Sequence, residues 1–371
     1  MPLYLTDDQA MLRDTAKSFM AEEGAIAKQL RHWRDIGCKD GFGHGLWKQF
    51  AELGFNGILI DEADGGLGLG HVEAGIVLEE IGRNLTPSPF LTSAVAFVEA
   101  LKGTAARERW FPGIISGDTV AALALDEGSK HRPEAIEMRA ERSGNGFSLS
   151  GRKQFVVQGA SADVTLVAAQ TDEGLTLFAV EKGANGLDVE GVRLADASIG
   201  ARLTFENVQV DADAVVGEVG GGAEILDRAL AAGRTGAAAE LVGVGSQAMD
   251  MTVDYLKQRK QFGRLIGEFQ ALQFRAAHLY SELEIARAAT LKAQQLLDEG
   301  SPDAEAMVAA AKAKAGRASQ LAVQEGVQMH GGIGMTDEYD IGLFMKRDRV
   351  LNELFGDPAY QADKLARMKG Y

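Results

Sequence analysis

Gln258 to Gln270 read QRKQFGRLIGEFQ, in which three cations, Arg259, Lys260 and Arg264, crowd around two glycines. On either side runs a long segment with apolar residues at helical spacing, so the stretch reads as a glycine-broken junction between two helices. The chain carries 38 Lys+Arg against 53 Asp+Glu, a net charge of -15. A knot of positive charge in so acidic a protein suits a phosphate-bearing ligand, although a solvated helix-helix turn would look the same from these residues alone.

The helices around this junction are long, running from about Ala223 to Arg259, Phe269 to Glu299 and Pro302 to His330, with shorter ones to the end. Ser301-Pro302 reads as a helix start with Pro in first position, and Gly331-Gly332 as a stop. At 1.5 Å per residue these helices span about 40 to 55 Å, and their short connections predict an antiparallel four-helix bundle over 219–371. Alanine-rich faces, such as Ala237-Ala238-Ala239 and Ala309-Ala310-Ala311, permit close approach between helices or between two copies of the bundle.

Upstream, from Ala121 to about Val216, the apolar period changes to alternation. Asn145-Gly146 is expected as a hairpin turn between Ile136–Met138 and Phe147–Leu149, with further strands at Lys153–Val157, Val164–Ala169, Leu175–Val180 and Arg202–Val210. This predicts an antiparallel β domain, a compact sheet or small barrel, over 119–218. Residues 1–118 read as all-helical. Thr6 and Gln9 have capping-box spacing, and helices are expected at Leu46–Leu53, His71–Ile81, Leu91–Lys102 and Ala105–Ile115. The glycines of Asp61–Gly70, DEADGGLGLG, follow Ile58-Leu59-Ile60 but lie among helices, so they are a surface loop and not a dinucleotide-binding turn.

With 371 residues, 46% of them hydrophobic and 25% charged, the chain suits two or three globular domains. Its acidity argues against nucleic acid as a partner. No apolar run approaches the roughly 18 residues that span a bilayer, and the start lacks a signal peptide's pattern, so a cytoplasmic protein without membrane contact is expected. One cysteine, Cys38, rules out an internal disulfide, and six histidines without H-x-x-x-H pairing give no metal site.

Arg259-x-x-Phe262-Gly263 with Gln270, then Gln328-x-x-Gly331-Gly332-x-Gly334, set in a bundle behind an all-α and a β domain, resembles the acyl-CoA dehydrogenase family of flavoproteins. The resemblance covers nearly the whole chain, including Asp61–Gly70, a Glu-Glu-x-Gly-Arg helix end at Glu79–Arg83 and a Gly-x-Lys strand start at Gly151–Lys153. It implies FAD between the β domain and the bundle, with its adenine end reaching across a subunit interface. The residues carried over are Arg259, Phe262 and Gln270 on one chain, and Gln328, Gly331 and Gly332 on the neighbour. Arg259 suits a forked contact to pyrophosphate, Gln270 offers amide hydrogen bonds, and paired glycines let backbone touch the cofactor. The implied reaction is α,β-dehydrogenation of an acyl-CoA thioester: a carboxylate removes the α proton, the β hydrogen leaves as hydride to flavin N5, and electrons pass to an electron-transferring flavoprotein.

The catalytic base is not identified in this chain. Arg347-Asp348 leads to a family base position that falls on Phe355 or Gly356, and the alternative position, before Arg234, is Gly233. A Trp-Ile-Thr strand reads Phe155-Val156-Val157, and a Thr-Glu-Pro loop reads Leu125-Asp126-Glu127. The Phe-Gly-Asp ending resembles the small or partner subunits of two-gene, α2β2 acyl-CoA dehydrogenases. Two expectations follow: a homodimeric or tetrameric enzyme with a displaced base, Glu353 or Asp357 being nearest, or a non-catalytic partner completing an FAD site beside a base-bearing homologous subunit.

Overall fold

The computed structural model describes residues 3–371. Helix α1 (Asp7–Glu22) begins as its capping box predicts, with Thr6 Oγ1 accepting from the Gln9 N–H at 3.3 Å and the Gln9 side chain accepting from the Thr6 N–H at 3.0 Å. A π-helical turn at Ala27–Arg31 precedes α2 (His32–Asp35), and α3 (His44–Glu52) ends where Gly54 takes a φ of 77°. Then come α4 (His71–Asn84), α5 (Val98–Leu101) and α6 (Ala106–Ile115). The helix expected at Leu91–Lys102 is π-helical over Phe90–Phe97 before it becomes α5. Every residue of that π segment is buried, so no single apolar stripe distinguishes an α from a π period in its sequence.

The glycine loop 61–70 folds back on the buried Ile58-Leu59-Ile60, which is not a strand. The N–H groups of Leu67, Gly68 and Leu69 donate to the carbonyls of Gly57, Ile60 and Ile58 at 2.8–2.9 Å. A side chain at Gly66 would collide with the Ile60 carbonyl, which accounts for one of the glycines by close approach alone.

The middle of the chain forms one eight-stranded sheet: β1 (Ala121–Ala124), β2 (Arg139–Ser143), β3 (Gly146–Val157), β4 (Val164–Thr171), β5 (Gly174–Glu181), β6 (Leu187–Arg193), β7 (Ile199–Val210) and β8 (Val215–Val216). Its order is β6-β7-β3-β2-β4-β5-β8, with β1 also on β4. The sheet is mostly antiparallel, as expected, and only at β4 do β1 and then β2 pair in parallel along one edge. Among the described residues β6 and β8 do not pair with each other, so the barrel expectation gives way to an open sheet. The hairpin expected from Ile136–Met138 instead pairs Arg139–Ser143 with Gly146–Ser150, and Gly144, at φ 58°, supplies the positive φ that its two-residue turn needs. Lys153–Val157 does not start a strand. It continues β3 past bulges at Leu149/Gly151 and Lys153/Val156, and a side chain at Gly151 would collide with Met138.

The C-terminal helices are α7 (Gly222–Gln258), α8 (Gln270–Asp298), α9 (Ala304–His330), α10 (Ile341–Glu353) and α11 (Pro358–Met368). Pro302 is not in the first helical position: Ser301 accepts from the Asp303 N–H at 3.3 Å and α9 starts at Ala304. Gly331, at φ 64°, stops α9 as expected. No helix among the described residues is long and apolar enough to cross a membrane.

The chain is grouped into two compact units. One gathers the residues up to Lys28 with His71–Thr86 and Arg234–Tyr371, and the other gathers Gln29–Gly70 with Pro87–Gly233. In the first, α9 packs on α8, α10 and α11, and α4 packs on both α1 and α8. Helix α4 also meets α7 backbone to backbone: a methyl at Gly82 would collide with the Glu240 carbonyl, and one at Gly243 with the Glu79 carbonyl. This crossing joins an N-terminal helix to the bundle, and no local periodicity announces it.

Candidate functional site

The Gln258–Gln270 junction is a miniature hairpin. β9 (Lys260–Gln261) pairs with β10 (Arg264–Leu265) around a two-residue turn, Phe262-Gly263, whose φ values of 53° and 80° give the type I′ twist. That turn favours Asn and Gly, so phenylalanine is strained there, and it is 92% exposed. The Arg264 guanidinium stacks 4.1 Å from the Phe269 ring, which turns the chain into α8. Arg259, Lys260 and Gln270 face solvent, and among the described residues no carboxylate pairs with Arg259 or Lys260.

The other predicted residues lie at the end of α9 in the same unit. Gln328, Gly331 and Gly332 are exposed, and a Cβ on either glycine would meet nothing within 4 Å. Gly331, with φ 64° and ψ -137°, occupies backbone space that is essentially glycine's own. The ends of α7 and α9 are brought together by aromatic stacking that the sequence reading missed: Tyr255, one turn before Arg259, lies 4.4 Å from His330, which lies 4.7 Å from Tyr339. His330 is 3% exposed, and burial pulls its imidazole below the ordinary value, against the opposing pull of the Gly326 carbonyl. Both motifs therefore sit at one end of a single chain. The histidine had no sequence signal beyond its place before Gly331.

The position expected for the base holds no carboxylate. Phe355, at φ 60°, is buried, and its carbonyl accepts from Arg234 Nε at 3.1 Å and Gln361 Nε2 at 2.8 Å. A side chain on Gly356 would collide with Tyr360 and Gln361. Of the two nearby carboxylates, Glu353 pairs with Arg349 at 2.7 Å, and Asp357 caps α11 by accepting from the Tyr360 N–H at 2.8 Å. Beneath this turn, fully buried Lys312 donates to the carbonyls of Leu351 and Asn352 at 2.9 and 3.4 Å, closing the end of α10. Burial pushes Lys312 down to about 7 and the neighbouring Asp348 up to about 6.

Folding therefore expels the Lys312 proton between about pH 7 and the ordinary lysine value of 10.5, and stability rises with pH across that window. Lys312→Met is expected to flatten this rise, read as denaturation midpoints from neutral to alkaline pH. An unchanged slope would mean that Lys312 remains charged.

Three acyl-CoA dehydrogenase family models match the chain: the N-terminal domain over residues 6–118, the middle domain over 125–208 and the C-terminal domain over 220–369. The mitochondrial isovaleryl-CoA dehydrogenase of Arabidopsis thaliana is 33% identical over 326 residues, covering 83% of this chain and 78% of the relative. The chain belongs to the acyl-CoA dehydrogenase family. Butyryl-CoA dehydrogenase from Megasphaera elsdenii superposes with a TM-score of 0.89 at 26% identity, over 100% of both chains. A chain of the ChsE4-ChsE5 complex from Mycobacterium tuberculosis does so with 0.90 at 25%, over 100% of this chain and 99% of that one.

The strand Phe155-Val156-Val157 has an unusual backbone. Phe155 sits in the Lys153/Val156 bulge at φ 52°, a strained conformation for an aromatic residue. The 125–127 segment is fastened beside it. Gln154 N–H donates to the Asp126 carbonyl at 2.7 Å, and the Glu127 carboxylate accepts from buried Lys153 Nζ at 2.7 Å and from the N–H groups of Glu137 and Met138 at 2.8 and 3.0 Å. Burial lowers the Lys153 pKa while Glu127 opposes the shift. Asp126 in turn meets His131 Nδ1 at 3.0 Å. Leu125-Asp126-Glu127 is thus a built anchor for the bulged strand.

Proposed function

We propose that this chain serves FAD-dependent α,β-dehydrogenation of an acyl-CoA thioester in the cytoplasm, with electrons passed to an electron-transferring flavoprotein. The observation that carries this reading is the outward-facing set Arg259, Phe262, Gln270, Gln328, Gly331 and Gly332 at one end of one unit. The set fits a flavin nucleotide. Arg259, with no carboxylate partner among the described residues, suits the pyrophosphate; strained and exposed Phe262 offers a ring face; Gln270 and Gln328 offer amides; and Gly331-Gly332 offers bare backbone. Held by these residues, FAD would supply a hydride acceptor for the β hydrogen of the substrate. The Tyr255–His330 stack supports placing all six residues on one nucleotide, in place of the division between neighbours implied by resemblance. The proposed domains are 1–118, 119–218 and 219–371.

A second reading draws on Gly233, Phe355 and Gly356 in the base positions and on the engagement of Glu353 and Asp357 elsewhere. In it this chain completes an FAD site while a homologous subunit of an α2β2 assembly supplies the base. The likeness to a chain of the ChsE4-ChsE5 complex supports it. We expect the chain to bind FAD and to bleach it with an acyl-CoA only when co-purified with such a subunit, and Glu353→Gln to change neither result. Bleaching by the chain alone that Glu353→Gln abolishes would sink the partner reading. Failure to take up FAD in either form would sink both.

A further inference from the structure

We infer that His330 is a positioning residue, a neutral imidazole packed in one ring cluster with Tyr255 and Tyr339 that holds the Arg259 end of α7 and the Gly331-Gly332 end of α9 in one register. Its consequence for cofactor binding rests on the flavin reading above. At 3% exposure the imidazole is sealed away from any ligand on this surface, so it acts through the two ends it joins.

The geometry defines the ring's state. Nδ1 lies 2.7 Å from the Gly326 carbonyl, one turn back on α9, so Nδ1 carries the proton. Nε2 then holds a lone pair, buried and without a hydrogen-bond partner among the described residues. The Nδ1–H···O bond sets the ring's rotation, and the two tyrosine rings pack against it in a three-ring cluster, inclined at 30° for Tyr255 and 43° for Tyr339, with the tyrosine centroids 6.4 Å from each other. On the α7 side the backbone leads directly to the motif, because the Arg259 N–H donates to the Tyr255 carbonyl at 2.9 Å. On the α9 side Gly331 follows at once, in its glycine-only conformation.

The surroundings favour the neutral ring. α7 presents Tyr255, with exposed Asp254 beside it; the segment after Gly334 presents Tyr339, followed by Asp340; and on α9 the nearest carboxylate, Glu325, pairs with Arg275. Residues 331–335 carry no titratable side chain. Among the described residues none of these carboxylates pairs with His330. A second proton would place an N–H on Nε2 with no acceptor, and the attraction of a cation to the tyrosine faces does not supply one. Acid should therefore open the clasp, whereas phenylalanine, which keeps the stacked ring and cannot titrate, should hold it shut.

The test compares wild type, His330→Phe and His330→Ala by FAD titration at about pH 8 and about pH 5.5, and by hydrogen exchange of 259–266 and 331–335 without flavin, corrected for intrinsic rates. Wild type should lose several-fold in FAD affinity on acidification, with about tenfold the ceiling for one imidazole, and exchange faster in both segments. His330→Phe should lose less than about twofold, and His330→Ala should be weak and fast-exchanging at both pH values. An acid response in His330→Phe equal to wild type, or wild-type behaviour in His330→Ala, overturns the inference. If no protein binds FAD but exchange follows the expected pattern, the clasp stands and the flavin reading fails.

Discussion

Replacing Arg259 with alanine is expected to weaken FAD binding by about 10- to 100-fold while leaving the stability of the flavin-free chain unchanged to within about 0.5 kcal/mol. The two halves of this result have separate causes. Arg259 is exposed and, among the described residues, bonded to no carboxylate, so its removal breaks no ion pair within the fold. If it forks onto a pyrophosphate, its loss removes a charge-assisted contact contributing about 1.5–3 kcal/mol in all. Lysine at this position should restore only part of the affinity, because an ammonium supplies the charge but not the planar fork. Flavin titration and thermal unfolding of the same samples check both halves, and an unchanged affinity would remove Arg259 from the cofactor site.

Replacing Arg347 with leucine is expected to destabilise the chain by about 3–5 kcal/mol, a fall in Tm of roughly 4–6 °C. Arg347 Nε and Nη2 reach Glu240 Oε1 at 2.8 and 2.6 Å, and the Glu240 side chain is only 2% exposed. The substitution takes the Arg347 guanidinium from a buried carboxylate, whereas removing both charges also removes the desolvation penalty. The double variant Glu240→Gln/Arg347→Leu should therefore recover much of the loss. Denaturant unfolding of the two single variants and the double gives the coupling directly. Additive losses would mean that the pair does not act as a unit.

Legibility of the fold varied with how local its cause was. The Thr6/Gln9 box and the Gly331 stop were readable because each acts within a few residues on its own backbone. β1 and β6 escaped. β1 is four buried residues with no alternation, and β6 is mostly exposed, so neither carries the half-buried pattern that reveals a strand. The hairpin at Ser143–Gly146 was displaced because the positive φ falls on Gly144, one residue before the Asn-Gly pair that suggested the turn.

At the candidate site, Arg259, Phe262 and the glycine pair stood out because unusual residues break a helical pattern, and such breaks are visible along the chain. Tyr255, His330 and Tyr339 look like ordinary helix and loop residues until the ends of α7 and α9 meet. By itself the sequence determined the succession of helical, sheet and helical parts, the junction at Gln258–Gln270, and the absence of a carboxylate at Gly233, Phe355 and Gly356. Only the tertiary structure decided that α4 crosses α7 at Gly82 and Gly243, that both motifs share one end of one unit, and that Glu353 and Asp357 are engaged elsewhere. The physical reason is that periodicity reports which face of an element is apolar, while the partner that covers that face is chosen by packing among residues distant in sequence.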